Sequence, residues 1–116
     1  MAVPLNEIRR TIKKDGVLIA ATTSENFPKY NWLTARNDVE KNANIRSGDP
    51  YKVFDTKNEM YFSDYYYTDA DYRKAFSNAQ FSTEVLHNPL GSASDNIEWK
   101  FESKLAPYSI YVCRPA

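Results

Sequence analysis

Residues 97–105 alternate apolar and charged side chains with the period of two that is typical of a half-buried β-strand. The Ala106-Pro107 turn follows, and residues 108–114 are predicted to form the antiparallel partner of this strand. The pattern predicts an antiparallel sheet with one face on a core and the other in water. One side of the strand carries Ile97, Trp99, Phe101, Ser103 and Leu105, and the other carries Glu98, Lys100, Glu102 and Lys104.

Four further stretches have the patterns of strands. Residues 17–21 form a short continuous apolar run, which favours a central strand buried on both faces. Residues 51–54 and 59–62 flank a polar loop at 55–58 and predict a β-hairpin. Residues 81–86 alternate and favour either a strand or the end of a preceding helix.

The N-terminal segment has the pattern of an amphipathic helix. Leu5, Ile8 and Ile12 recur at helical spacing. Pro4 suits the first turn of such a helix, and Gly16 suits the position just beyond its end. We therefore expect the first element to be a helix with one apolar stripe.

A second helix is predicted over residues 69–79. Thr68 is a preferred N-cap residue, and Asp71 stands at the third helical position, as in an approximate capping box. Asp69 and Arg73 have the spacing of an i,i+4 ion pair.

The segment from residue 25 to residue 49 has no clean period, and a short helix over 34–44 is the only element that we expect there. Together the patterns predict an α+β fold, with about two helices packed on an antiparallel sheet of about five strands. At 116 residues, one domain over residues 1–116 with one core is expected.

The charge balance argues against general attraction to DNA or to anionic membranes. Fifteen basic and fifteen acidic residues cancel, although residues 1–57 carry ten basic against seven acidic residues and residues 58–116 carry five against eight. No apolar run approaches the ~20 residues of a membrane span, and no signal-peptide core is present. With Cys113 as the single cysteine, a reducing, cytoplasmic location is expected.

The chain offers little catalytic or metal-binding chemistry. His87 and Cys113 are the only imidazole and thiol, so no zinc site is predicted, and any Ser-His or Cys-His arrangement depends on His87. None of the three glycines lies in a phosphate-binding loop. Residues 55–59 have acidic spacing faintly like a calcium loop but lack its turn glycine. We predict no catalytic residue, no metal and no cofactor.

Tyrosine is abundant, with nine residues in the chain, and three of them are consecutive. Successive residues of a strand point to opposite faces, so at least one of this trio should face solvent. Exposed tyrosines are common anchors for protein partners, and the acidic neighbours favour a basic surface on that partner. The predicted partner-binding residues are Asp64, Tyr65, Tyr66, Tyr67, Asp69 and Asp71.

The sequence leaves more than one function open. A non-enzymatic protein that occupies a surface of a larger protein partner is the preferred hypothesis, because small, aromatic-rich, motif-poor chains are typical of inhibitors and accessory proteins of phages and mobile elements. The alternatives are a subunit of a larger assembly and the binding of RNA or single-stranded DNA through the first helix. A small enzyme or ligand-binding domain with His87 in a pocket ranks below these. The basic residues of that helix are Arg9, Arg10, Lys13 and Lys14.

Overall fold

The computed structural model describes all 116 residues and contains three α-helices, two short 3-10 helices and six strands. The helices are α1 (Ala2–Thr11), α2 (Val39–Asn42) and α3 (Asp69–Asn78), and the 3-10 helices cover Phe27–Lys29 and Ala93–Asp95. The strands are β1 (Leu18–Thr23), β2 (Ala35–Asn37), β3 (Pro50–Asp55), β4 (Met60–Tyr65), β5 (Phe81–His87) and β6 (Tyr108–Pro115).

The strands form two antiparallel sheets of three strands each. The first sheet has the order β1-β6-β5, and the second has the order β2-β3-β4. The α+β class is confirmed. The prediction of two helices on one sheet of about five strands is wrong, because the strands pair in two separate groups.

Both helices that the sequence predicted with clear patterns are present, as α1 and α3. Helix α3 begins where predicted, with a full capping box between Thr68 and Asp71. Arg73 pairs with Asp69 at 2.9 Å, as the i,i+4 spacing indicated. Helix α1 buries Leu5 and ends at Thr11, earlier than Gly16 suggested. A capping box depends only on residues that are close in sequence, so it can be predicted from the sequence alone.

The predicted hairpin is also confirmed. Strand β3 pairs with β4 from Pro50 opposite Tyr65 to Asp55 opposite Met60. The side chain of Asp55 accepts the backbone amides of Lys57 and Asn58, which closes the turn. Asparagine and aspartate side chains commonly stabilise turns in this way.

The predicted strand over residues 97–105 is absent: residues 97–99 have no regular secondary structure, and bends and turns occupy residues 100–105. The period of two predicts an outward Glu102 and an inward Phe101, whereas Glu102 is 6% exposed and Phe101 is 42% exposed. The Glu102 carboxylate accepts the backbone amides of Leu33 at 2.7 Å and Lys100 at 2.8 Å. Tertiary contacts of this carboxylate have overridden the local pattern.

The partner of residues 108–114 differs accordingly. Strand β6 is the centre of the first sheet, with β1 on one side and β5 on the other. The apolar run at 17–21 contributes to β1, which is an edge strand with Ile19 67% exposed, so the prediction of a central strand buried on both faces is wrong. The short helix expected over 34–44 is replaced by β2 and the four-residue α2.

Each sheet has its own buried cluster, where the sequence predicted one core. The first core lies between the first sheet and helices α1 and α3, and the second core lies under the second sheet. The first core comprises Leu5, Phe76, Ala79, Phe81, Tyr111 and Cys113. The second core comprises Phe27, Trp32, Ala35, Tyr51, Val53 and Tyr66.

A polar contact joins the two sheets. One oxygen of Asp64 on β4 accepts hydrogen bonds from Thr23 of β1 at 3.0 Å and from Tyr51 of β3 at 3.1 Å.

Neither α1 nor α3 exceeds ten residues, and no helix of the chain combines the length and apolarity that membrane crossing requires.

Candidate partner-binding site

The three consecutive tyrosines have three different environments. Tyr65, the last residue of β4, is 57% exposed, whereas Tyr66 is 5% exposed and belongs to the second core. The backbone of Tyr66 bonds to Gly48 and Asp49, and Lys29 lies 5.6 Å from its ring centroid. Tyr67 is half-buried, with its ring edge-on to Tyr72. The trio therefore offers one exposed anchor, Tyr65, and not a continuous surface.

The acidic neighbours are engaged inside the molecule. Asp64 joins the two sheets, and Asp69 pairs with Arg73 and accepts the Tyr111 hydroxyl at 2.7 Å. Hydrogen bonds from the Ser47 hydroxyl and the Thr68 amide hold the pKa of Asp71 below its usual range. All three carboxylates have structural partners within the chain, and Asp69 is the one whose charge is paired with a cation.

Two tyrosine hydroxyls support these carboxylates. Burial is the main cause that raises the pKa of Tyr51 and of Tyr111, and the adjacent Asp64 and Asp69 act in the same direction. Both phenols therefore stay protonated at neutral pH and donate their hydrogen bonds. Their role is to hold the carboxylates in place.

Strand β4 is the most exposed strand of the molecule, with five of its six residues exposed. It lies at the edge of the second sheet, and no backbone hydrogen bond joins it to any segment other than β3. Because successive side chains alternate, large apolar groups project from both of its faces. We call this surface the β4 edge. It comprises Met60 (56% exposed), Tyr61 (71%), Phe62 (43%) and Tyr65 (57%).

The face of the second sheet turned away from the second core is concave. Cross-strand register places Arg36 of β2, Phe54 of β3 and Tyr61 of β4 in one row, with Lys52 and Ser63 in the next. We call this surface the outer face. With Lys41 of α2 it borders a concavity of about 710 Å³.

The basic residues of α1 are partly engaged. Arg9 donates to the backbone carbonyls of Gln80 and Ala116, and Arg10 pairs with Glu7 at 2.9 Å. Lys13 and Lys14 follow the helix and are exposed. The two arginines of the helix thus have intramolecular partners, and the two lysines just beyond it are exposed.

The residues considered for catalysis or metal binding lie apart. His87 is exposed at the end of β5 and borders none of the five concavities of the surface. Cys113 is fully buried in the first core, and burial raises the pKa of its thiol. No three histidine, cysteine or acidic side chains come together in a metal-binding group.

Sequence reasoning missed the outer face and most of the β4 edge. The predicted hairpin contained the signal, since Lys52 and Phe54 share one face of β3 and Tyr61 and Ser63 share one face of β4. Arg36 could not be assigned to the outer face from the sequence, because the residues of β2 have no periodic pattern. Comparison of the sequence with models of known protein families, and with curated proteins, finds no match to this chain.

Proposed function

We propose that this chain is a non-enzymatic binding protein that occupies a surface of a larger protein partner, as an inhibitor or accessory protein. The observation that supports the proposal best is the β4 edge, where four large apolar side chains surround an unpaired strand edge. Such an edge can accept a strand of another protein, with main-chain hydrogen bonds giving affinity and side-chain pockets giving specificity.

Strand β4 has one charged residue, Asp64, and the β4 edge otherwise lacks the devices by which proteins protect exposed strand edges. Residues 60–65 contain no proline and no lysine, and no helix or loop pairs with the outer backbone. An unprotected apolar edge of this kind promotes aggregation unless a partner covers it. Stable burial in a complex would remove that liability.

The first sheet is a weaker candidate for the same role. Its large exposed apolar residues are one on each strand, Ile19 on β1, Val85 on β5 and Tyr108 on β6, and only one of them is aromatic. Interfaces are enriched in tyrosine, phenylalanine and methionine, which are the residue types of the β4 edge. The distribution of side chains therefore favours the second sheet.

The structure changes the expected chemistry of the contact. Asp64, Asp69 and Asp71 were predicted to meet a basic surface, but their carboxylates are already hydrogen-bonded within the chain. We therefore propose an apolar strand-edge contact centred on Tyr65 and its β4 neighbours. In the cytoplasm, where the proposal places the protein, Cys113 remains a buried free thiol.

The test is affinity capture from native host lysate treated with nuclease, using the wild type and two charge-neutral triple variants. Met60→Ser/Phe62→Ser/Tyr65→Ser replaces three of the four apolar side chains of the β4 edge and keeps Tyr61, which the outer face shares. Val17→Ser/Ile19→Ser/Val85→Ser is the matched control, since its positions are 42%, 67% and 50% exposed. Thermal unfolding checks that both variants remain folded.

The proposal expects a stoichiometric protein partner that the wild type and the control variant retain and the β4 variant loses. Capture that survives the β4 substitutions in a folded protein contradicts the proposed site. A partner that remains bound through purification as a constitutive complex would identify the chain as a subunit of a larger assembly, which differs from an inhibitor in permanence.

A further inference from the structure

The outer face combines aromatic rings with basic side chains that have no ion-pair partner. Arg36, Lys41 and Lys52 border the concavity, and none of them takes part in the three salt bridges of the molecule. Asp38 is the only carboxylate on the rim, and one of its oxygens accepts the Lys41 amide at the start of α2. Three cations against one engaged carboxylate give this concavity a net positive charge.

The aromatic pair lies at the centre of this charge. The rings of Phe54 and Tyr61 have centroids 4.9 Å apart and an interplanar angle of 46°. Tyr61 is 71% exposed, so much of its ring surface contacts solvent. Arg36 is in register with both residues, on the neighbouring strand β2. The sheet therefore presents two aromatic rings on the same face as the side chains of Arg36 and Lys52.

This arrangement has the two components that single-stranded nucleic acid needs. A positively charged groove follows the phosphate backbone, and exposed aromatic rings stack on successive bases. Open β-sheet faces are used in this way for single-stranded RNA, whose unstacked bases lie on aromatic side chains. An acidic protein segment would need the cations but would gain nothing specific from the π-faces.

We propose that the outer face is a binding site for single-stranded nucleic acid, with Arg36, Lys41 and Lys52 on the phosphates and Phe54 and Tyr61 stacked on bases. The site goes beyond the proposed protein contact, because it takes a different class of ligand and shares only Tyr61 with the β4 edge. It also relocates the nucleic-acid hypothesis from α1, where Arg9 and Arg10 have intramolecular partners.

The first arm of the test measures fluorescence anisotropy of labelled single-stranded RNA and DNA of about ten nucleotides, within the range that one small sheet domain covers. The wild type should bind with an affinity that falls steeply as salt rises. Arg36→Glu/Lys52→Glu should weaken binding by about tenfold or more. The matched control, Lys13→Glu/Lys14→Glu, makes the same change in net charge just beyond α1, and its affinity should stay within about twofold of that of the wild type at the same salt concentration.

The second arm tests stacking. Phe54→Leu/Tyr61→Leu keeps apolar side chains but removes both rings, and binding should weaken about tenfold, as expected for the loss of base stacking. An abasic oligonucleotide of equal length should bind the wild type as weakly as the normal oligonucleotide binds this variant. Thermal unfolding establishes that each variant is folded at the assay temperature.

The proposal is overturned if the wild type does not bind, or if the α1 control loses as much affinity as the outer-face variant. It is also overturned if the leucine variant binds the normal oligonucleotide as tightly as the wild type does, or if the wild type binds the abasic oligonucleotide as tightly as the normal one. Competition by an acidic peptide that equals competition by RNA would overturn it too. Failure of the protein contact is separable, because the β4 serine variant should lose its protein partner while Arg36→Glu/Lys52→Glu should keep it.

Discussion

The two sheets have the same number of strands and the same antiparallel pairing, but they are covered in different ways. Helices α1 and α3 pack on one face of the first sheet and build a core with Phe76 and Leu5. The second sheet is covered by the 3-10 turn at Phe27–Lys29 and by loop residues such as Trp32, and its strand β4 projects beyond this cover. Both sheets have open edges, but the second leaves a strand with five exposed residues, β4, beside the concave outer face.

The difference originates in the lengths of the covering elements. Two helices of ten residues each can cover a three-stranded sheet, whereas α2 has four residues and contacts mainly the 3-10 turn. Backbone groups of an irregular cover need individual hydrogen-bond partners, because no helix ladder satisfies them. Asn42, which bonds to the Pro28 carbonyl, and Glu102 supply such partners beneath the second sheet.

Replacing Glu102 is the largest expected effect and tests whether a side chain fixes the irregular cover. Glu102→Ala leaves the amides of Leu33 and Lys100 without their acceptor, and we expect a loss of about 2 to 4 kcal/mol in the free energy of unfolding. Glu102→Gln retains an acceptor oxygen and should lose about half as much. Urea unfolding followed by tryptophan fluorescence gives both values. A loss under about 0.5 kcal/mol for the alanine variant would mean that the loop does not depend on Glu102.

A smaller effect is expected at the helix that covers the first sheet. The pKa of Asp71 is lowered from 3.8, so its charge stabilises the fold at pH values above 3.8, and this contribution is lost as pH falls through the folded-state pKa. At pH 7, Asp71→Asn should cost about 0.5 kcal/mol, because the helix N-terminus favours the charge while solvent screens it.

The same pair of proteins gives the pH test. The stability difference between wild type and Asp71→Asn, measured by urea unfolding from pH 7 to below pH 3, should shrink towards zero below the unfolded-state value of 3.8. A difference that stays constant across this range would show that the Asp71 charge does not stabilise α3.

Local signals predicted the parts of the fold that depend on local chemistry. Thr68 and Asp71 located α3 because a capping box involves only four consecutive residues, and Asp55 marked the hairpin turn for the same reason. The strand prediction for residues 97–105 is wrong because an alternating pattern carries no information about which carboxylate has a buried partner. The amide of Leu33, which binds Glu102, lies 69 positions away in the chain.

The candidate site was predicted in part. Tyr65 is exposed as one member of the trio had to be, but Tyr66 is a core residue, which the alternation alone could not decide. The acidic residues were identified as neighbours of the tyrosines, whereas their hydrogen bonds to Ser47, Thr23 and other distant groups follow from the tertiary fold. Arg36 joins the outer face only through β2, a three-residue strand with no sequence pattern of its own.

The most direct measurement of the central claim is amide hydrogen exchange of the chain, alone and in complex with the captured partner. We predict strong protection of residues 60–65 on binding, because their outer backbone groups acquire hydrogen bonds, and little change at residues 18–23 of β1. Protection of β1 or β5 with no change in β4 would contradict the account and assign binding to the first sheet.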